Sequence, residues 1–272
     1  MTGAPVRATL ILATYEMPRH LKLVFAALAQ QSFRDFEILL CDDGSGAETK
    51  AIVDEFKSRG YFHLEHLWQE NRGFRKCRIL NEAIRRARGE ILVFLDGDCV
   101  PHRHFMRDHW ENREKGRFLA GRRVELGREI SERLTPESVA RGFFDFPRPS
   151  LLLSGLRGDT EHLNRTLRFR HPWLRKLLKL ERVDDMKGCN FSAFRVDMEA
   201  INGFDESYEG YGREDTDVEL RLQNYGLRIK SLKGLALQYH VWHERRGFTP
   251  QNDQLLEDVR HARRIRAVRG LN

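Results

Sequence analysis

The sequence predicts an α/β fold: a Rossmann-like, mostly parallel sheet flanked by helices, with a helical insertion and a C-terminal helix. Three observations predict it. Strand-like apolar runs alternate with helix-period patterns through the N-terminal third, each strand-like run stops on a polar cluster, and the alternation breaks only after residue 126. An apolar β-like stretch over 6–15, centred on 10–12, is followed by strand-like runs at 36–41, 62–67 and 91–95. Helical patterns occupy 18–31, 47–59 and 75–87, with Pro18 suited to a first turn and Gly60 and Gly89 placed to stop the second and third helices. This βαβαβαβ order implies right-handed crossovers, and ligands in such sheets collect at the carboxyl ends of the strands.

The polar clusters meet that expectation. Thr14-Tyr15-Glu16 follows the first strand, Asp42-Asp43-Gly44-Ser45 the second, Gln69 to Gly73 the third and Asp96-Gly97-Asp98 the fourth. Each alone reads as a surface turn; together they predict one crevice. Downstream, 127–185 carries Pro136, Pro147, Pro149 and Pro172 and no convincing strand, so it reads as an insertion. Within it, 163–183 reads as a basic amphipathic helix. Two readings fit: a helix lying on an anionic membrane, or, preferred as simpler, one packed on the domain with a solvated basic face. After the insertion, 191–196 reads as a strand, 214–225 as a helix closed by Gly226, and 228–232 and 235–239 as short strands delivering His240 and His243. The last twenty residues read as a polar, basic helix. The division expected is one domain over 1–245 and a basic tail over 246–272.

At 272 residues the chain can bury a sizeable core, and no window approaches the length of a membrane span. The start is too short and too poorly flanked for a signal peptide. Cys41, Cys77, Cys99 and Cys189 show no zinc spacing, which predicts free thiols in a reduced, cytoplasmic setting. The net charge of +7 and pI near 9.4 suit an anionic partner. Basic residues concentrate over 157–182 and 260–269 whereas 205–219 is acidic, a segregation that argues against a uniform nucleic-acid surface.

Asp96 and Asp98 are candidate ligands for magnesium or manganese, and such ions recruit substrate phosphates. His240 or His243 would add a nitrogen donor, tilting the metal toward manganese. Glu214-Asp215-Thr216-Asp217 opens a helix, where capping accounts for one acid but not three; another could serve as a general base beside the aromatic, glycine-rich approach Tyr208 to Gly212. Arg75, Lys76 and Arg78 start the third helix within reach of the crevice, either as a phosphate clamp or as a solvated face. There is no GxxxxGK[ST], GxGxxG or GxSxG, which removes support for P-loop, dinucleotide-dependent and serine-hydrolase chemistry.

The ordered segments ATYEMP, QSFRDFEILLCDDGS, ENRGFRKCRILNEAI, ARGEILVFLDGDC, MKGCNFSAFR, INGFDESYEGYGREDTDVELRL and YHVWH resemble the family 2 glycosyltransferases of the GT-A fold, the later half being similar to the galactosyltransferase and chondroitin-polymerase branch. The resemblance implies an inverting, metal-dependent transfer from a nucleotide-diphosphate sugar, expected to be a UDP-sugar, to a glycan or glycolipid acceptor in bacterial envelope polysaccharide synthesis. It implies donor-nucleotide contacts at Thr14, Tyr15, Glu16, Asp43, Arg75, Asp96 and Gly97, and a metal at Asp98 with His243 or His240. Asp215 would be the catalytic base, with Glu214 orienting hydroxyls, and Gly188, Cys189, Asn190, Tyr211 and Gly212 would line the sugar and acceptor pocket. Glu16 departs from the asparagine common there, and the insertion has no counterpart, which places acceptor recognition in it. The location expected is cytoplasmic, with peripheral contact to the membrane's inner face if the basic segment over 163–183 lies on it. The alternatives are a nucleotidyltransferase, which has less need of the acid cluster, and a non-catalytic sugar-nucleotide or membrane-surface module, which would leave Asp215 and His243 without a role.

Overall fold

The computed structural model describes residues 6–146, 148–244 and 247–272. The first five residues, Pro147 and the expected boundary at 245/246 lie outside them. Four strands, β1 (Ala8–Thr14), β2 (Phe36–Asp42), β3 (His63–Trp68) and β4 (Ile91–Asp96), run parallel in the order β3-β2-β1-β4. They are joined by α1 (Pro18–Leu28), α2 (Ala47–Ser58) and α3 (Lys76–Arg86). Pro18 sits in the first turn of α1, where its missing N–H costs nothing. Every residue of β1 and β2 is buried, as parallel strands covered on both faces require. Along β1, Leu10 and Leu12 face a core shared with α1 and α2, while Ile11 and Ala13 face a second core shared with α3.

From β1 the chain winds outward to β3 and then returns to the other side of β1 as β4. The switch point therefore lies between the ends of β1 and β4, where a parallel sheet opens a crevice. Gly97 closes its floor: its N–H donates to Ala13 O at 2.7 Å, and a Cβ there would meet the same oxygen at 3.0 Å.

The second half adds β5 (Cys99–Pro101), α4 (Phe105–Asn112), β6 (Arg117–Ala120) and β7 (Val124–Glu125). The insertion follows as α5 (Arg128–Arg133), α6 (Pro136–Ala140), α7 (Pro149–Leu156) and α8 (Pro172–Leu177), with no strand among its described residues. Then come β8 (Phe191–Phe194), α9 (Arg195–Ala200), α10 (Glu214–Asn224), β9 (Arg228–Ser231), β10 (Gln238–His240) and α11 (Gln251–Ala262). The antiparallel β8 extends the main sheet from β4, and β6 and β9 complete its seven strands.

Two expectations are corrected. Residues 163–183 do not form one helix: a 3₁₀ turn over Leu163–Thr166 and the six-residue α8 are separated by an extended stretch that Pro172 ends. Nor does α8 turn all of its apolar side inward. Arg175 is buried, donating to the carbonyls of Lys233 and Ser231, while Trp173 and Leu177 are 66% and 69% exposed. The terminal segment is helical only to Ala262; the chain then docks across residues 201–205, with Ala267 N–H on Ile201 O and Val268 N–H on Asp205. No helix among the described residues is long and apolar enough to cross a membrane. All four cysteines are buried free thiols.

Candidate active site

A small second sheet assembles one wall of the crevice. β10 pairs antiparallel with β5 and parallel with β7, setting His240 opposite both Cys99 and Glu125. Because a one-residue slip would reverse every side chain, this register is what brings His240 beside Asp98. The chain is then tied back by Val241 N–H to Asp98 O at 2.9 Å, which returns His243 to the same place. One ligand atom from each of Asp98, His240 and His243 lies within 4.8 Å of the others. His243 Nε2 is 3.1 Å and His240 Nε2 3.7 Å from Asp98 Oδ2, and Glu125 Oε2 is 2.9 Å from His240 Nδ1.

The electrostatics of this cluster follow from burial opposed by close charges. Burial pushes the Asp98 carboxyl up, but bonds from the two imidazoles hold it well below the usual range. Burial lowers His240, and the carboxylates of Asp98 and Glu125 reverse this, pushing it up to about 9. One carboxylate and two imidazoles, with a second carboxylate orienting one ring, form a donor set that fits a first-row divalent cation better than magnesium. Asp96 is outside the cluster: its Oδ1 accepts from Lys76 Nζ at 2.8 Å. Lys76 also lies 3.9 Å from Glu214; burial disfavours its charge, yet Asp96 and Glu214 together hold the ammonium well above its ordinary value.

The opposite wall is the start of α10. Gly212 (φ 108°) and Arg213 (φ 75°) turn the chain sharply into the helix. Gly212 is required there because a Cβ would strike the Phe248 ring, and Arg213 is held by Asp253 at 2.7 Å and by the same ring. The three acids then separate. Asp217 turns inward to a fully buried ion pair with Arg221. Glu214 is buried beside Lys76, raised by desolvation against the pull of that lysine, with one oxygen unpartnered. Of these three acids, Asp215 alone presents a carboxylate to the cleft without an ion pair among the described residues; Gly188 N–H donates to its Oδ2 at 3.1 Å and Thr216 N–H to its Oδ1 at 2.8 Å.

Between the walls lies a cleft of about 1160 Å³. Thr14, Tyr15, Asp43, Asp96, Gly97, Asp98, Gly188, Cys189, Tyr211, Gly212, Glu214, Asp215, His240 and His243 all line it. Three of the residues expected to contact donor or acceptor do not. Glu16 accepts the N–H of Gly46 at 2.8 Å, capping α2. Arg75 donates to Glu70 O while the next residue, Lys76, faces the cleft. Asn190 is fully buried, donating to Arg122 O and Ala236 O and meeting His109. Sequence reasoning missed Glu125, Arg122, Arg123 and Arg165; Glu125 lies in the two-residue β7 and Arg123 just before it, a strand too short for a periodic signal, and Arg165 reaches the cleft from the insertion.

Comparison with known proteins identifies the family. The model of glycosyl transferase family 2 matches residues 9–194, and that of the N-terminal domain of galactosyltransferase matches residues 177–244. The Escherichia coli chondroitin synthase is 22% identical over 85% of this chain and 34% of its own length. An uncharacterized Bacillus subtilis glycosyltransferase, YfnE, is 26% identical over 94% of this chain and 68% of its own. The chain thus spans about a third of the first relative and about two thirds of the second. Among solved structures, the mannosyltransferase PcManGT of Pyrobaculum calidifontis, in complex with GDP-Man and Mn2+, superposes with a TM-score of 0.58 at 17% identity over 93% of this chain and 68% of that one. S. aureus TarS 1-349 in complex with UDP-GlcNAc superposes at 0.59 and 17% over 92% and 65%. The second-half match covers the helix carrying Asp215 and the histidine pair, the first-half match the strand ends, and together they establish that this chain belongs to the family 2 glycosyltransferases and has their GT-A fold.

Proposed function

We propose that the chain is a metal-dependent, inverting glycosyltransferase that moves a sugar from a nucleotide-diphosphate donor, a UDP-sugar, to a hydroxyl of a glycan or glycolipid in bacterial envelope polysaccharide assembly. One observation carries this reading: a single cleft holds the Asp98–His240–His243 donor set on one wall and the unpaired Asp215 carboxylate on the other. Tyr15 and Asp43, just past β1 and β2, are assigned to the nucleobase, and Asp96 and Gly97, at the end of β4, to the ribose and diphosphate. Asp98, His240 and His243 would hold a divalent cation, manganese by its ligand chemistry, which when bound supplies positive charge for the diphosphate.

Asp215, oriented by two backbone N–H groups, takes the proton of the acceptor hydroxyl as its oxygen bonds to the anomeric carbon. The bond from that carbon to the diphosphate breaks with its electron pair leaving on the nucleotide, a single displacement that inverts configuration. Lys76 positions Asp96 and Glu214 rather than acting on the proton. Incubation with a panel of sugar nucleotides and Mn2+ tests the reading: release of nucleoside diphosphate from one donor is expected. Diphosphate released from a nucleoside triphosphate and sugar phosphate, or no turnover of any donor with any glycan acceptor, would overturn it.

A further inference from the structure

The insertion carries a surface that the transfer reaction does not use. From Phe146 to Arg182 the sequence has nine Lys and Arg against three Asp and Glu, so most of the chain's net charge of +7 resides there. Some of these cations are consumed internally: Arg168 binds the buried Asp108, and Arg175 is buried on backbone carbonyls. Arg170, Lys176, Lys179 and Arg182 are exposed and make no ion pair among the described residues.

Several apolar side chains of the same segment stand outward where an ordinary surface helix would turn them in. In α7, Leu151 and Ser154 fill the inward side, leaving Leu152 and Leu153 each 48% and Leu156 86% exposed. In α8 the inward position belongs to Arg175, and Trp173 and Leu177, one turn apart, stand in solvent. A buried arginine beside an exposed tryptophan and leucines is a surface that gains by being covered. Trp and Leu flanked by unpaired Lys and Arg match one occupant's chemistry, an interface with acyl chains beneath anionic headgroups. Since α7 and α8 are each only about two turns long and no described helix can span a bilayer, the contact is one of lying on the surface.

We infer that the insertion docks the enzyme on an anionic lipid bilayer through Trp173 and Leu177 of α8 and the basic residues beside them. The same insertion also sends Glu161, His162 and Arg165 to the cleft wall. The inference is independent of the donor and of the base assignment.

The full chain is tested by co-sedimentation with vesicles of phosphatidylcholine alone and of phosphatidylcholine with phosphatidylglycerol, at low and high salt. Binding to the anionic vesicles, weakened by salt and at least about tenfold weaker on neutral ones, is expected. Trp173→Ala with Leu177→Ala should lower partitioning by about tenfold or more. Lys176→Glu with Lys179→Glu, at exposed positions, should do likewise, and both should keep the native circular-dichroism spectrum. Absence of vesicle binding, equal binding to neutral and anionic vesicles, or variants that bind like the parent would overturn the inference. So would a concentration-dependent dimer abolished by the Trp173 variant, because a second copy would then be the cover.

Discussion

Removing the guanidinium of Arg221 tests how α10, which carries Glu214 and Asp215, is anchored. Arg221 and Asp217 are both fully buried, with Arg221 Nε 2.9 Å and Nη2 2.6 Å from Asp217 Oδ2, and Nη1 donates to Ile201 O and Gly203 O. Arg221→Met keeps much of the volume but strands a buried carboxylate, which costs about 3–5 kcal/mol, and leaves two carbonyls short of a donor at about 1 kcal/mol or more each. A loss near 5 kcal/mol at pH 7 in urea unfolding is expected. Burial already raises the Asp217 carboxyl against the pull of Arg221, so without the arginine it rises further. A group whose folded pKa lies above its unfolded value gives stability at low pH that is lost as pH rises, so the deficit should shrink between pH 7 and 5. Asp217→Leu combined with Arg221→Met should recover part of it. A deficit below about 1 kcal/mol, or one unchanged from pH 7 to 5, would refute the reasoning.

Further outcomes follow from the same structure. His109 is buried between Ser192 and Asn190, and burial pushes it down to about 4. Its depressed pKa makes stability complete above about 6.5 and lost as pH falls through 4, by up to about 3 kcal/mol, and His109→Gln should flatten that part of the pH profile of unfolding. Asp98→Ala should weaken Mn2+ binding measured by calorimetry more than about tenfold; unchanged affinity would contradict the proposed metal seat. A Cβ on Gly188 would lie 3.1 Å from that of Asp215, so Gly188→Ala should lower kcat by about tenfold through displacement of the base while changing donor KM little.

The parallel half of the fold was legible because each strand is a short apolar run bounded by turn residues, and its ligand edge because Thr14, Asp43 and Asp96 all fall where such runs stop. The metal cluster was half legible. Asp98, His240 and His243 stood out as residue types, but their meeting depends on β5, β7 and β10, strands of three, two and three residues that carry too few positions for a period-2 pattern. Adjacent side chains were confused for a related reason. Arg75 and Lys76 differ by one step at a helix start, and which of them enters the cleft is set by Glu70 and Asp96 across the crevice. Asn190 looked like a pocket residue, yet its amide ties Arg122 to Ala236 inside the core. Residues 163–183 have helical periodicity on paper, and tertiary bonds from Arg168 and Arg175 override it.

The central proposal is that proton transfer belongs to Asp215 and donor binding to the opposite wall. Asp215→Asn preserves shape and can still accept the Gly188 N–H, so transfer and binding can be read on the same protein. Nucleoside diphosphate release with acceptor present should fall by about a hundredfold or more, while calorimetry in Mn2+ should give donor-nucleotide affinity within about twofold of the parent. Near-normal turnover in Asp215→Asn, or loss of donor-nucleotide binding in step with turnover, would contradict the account.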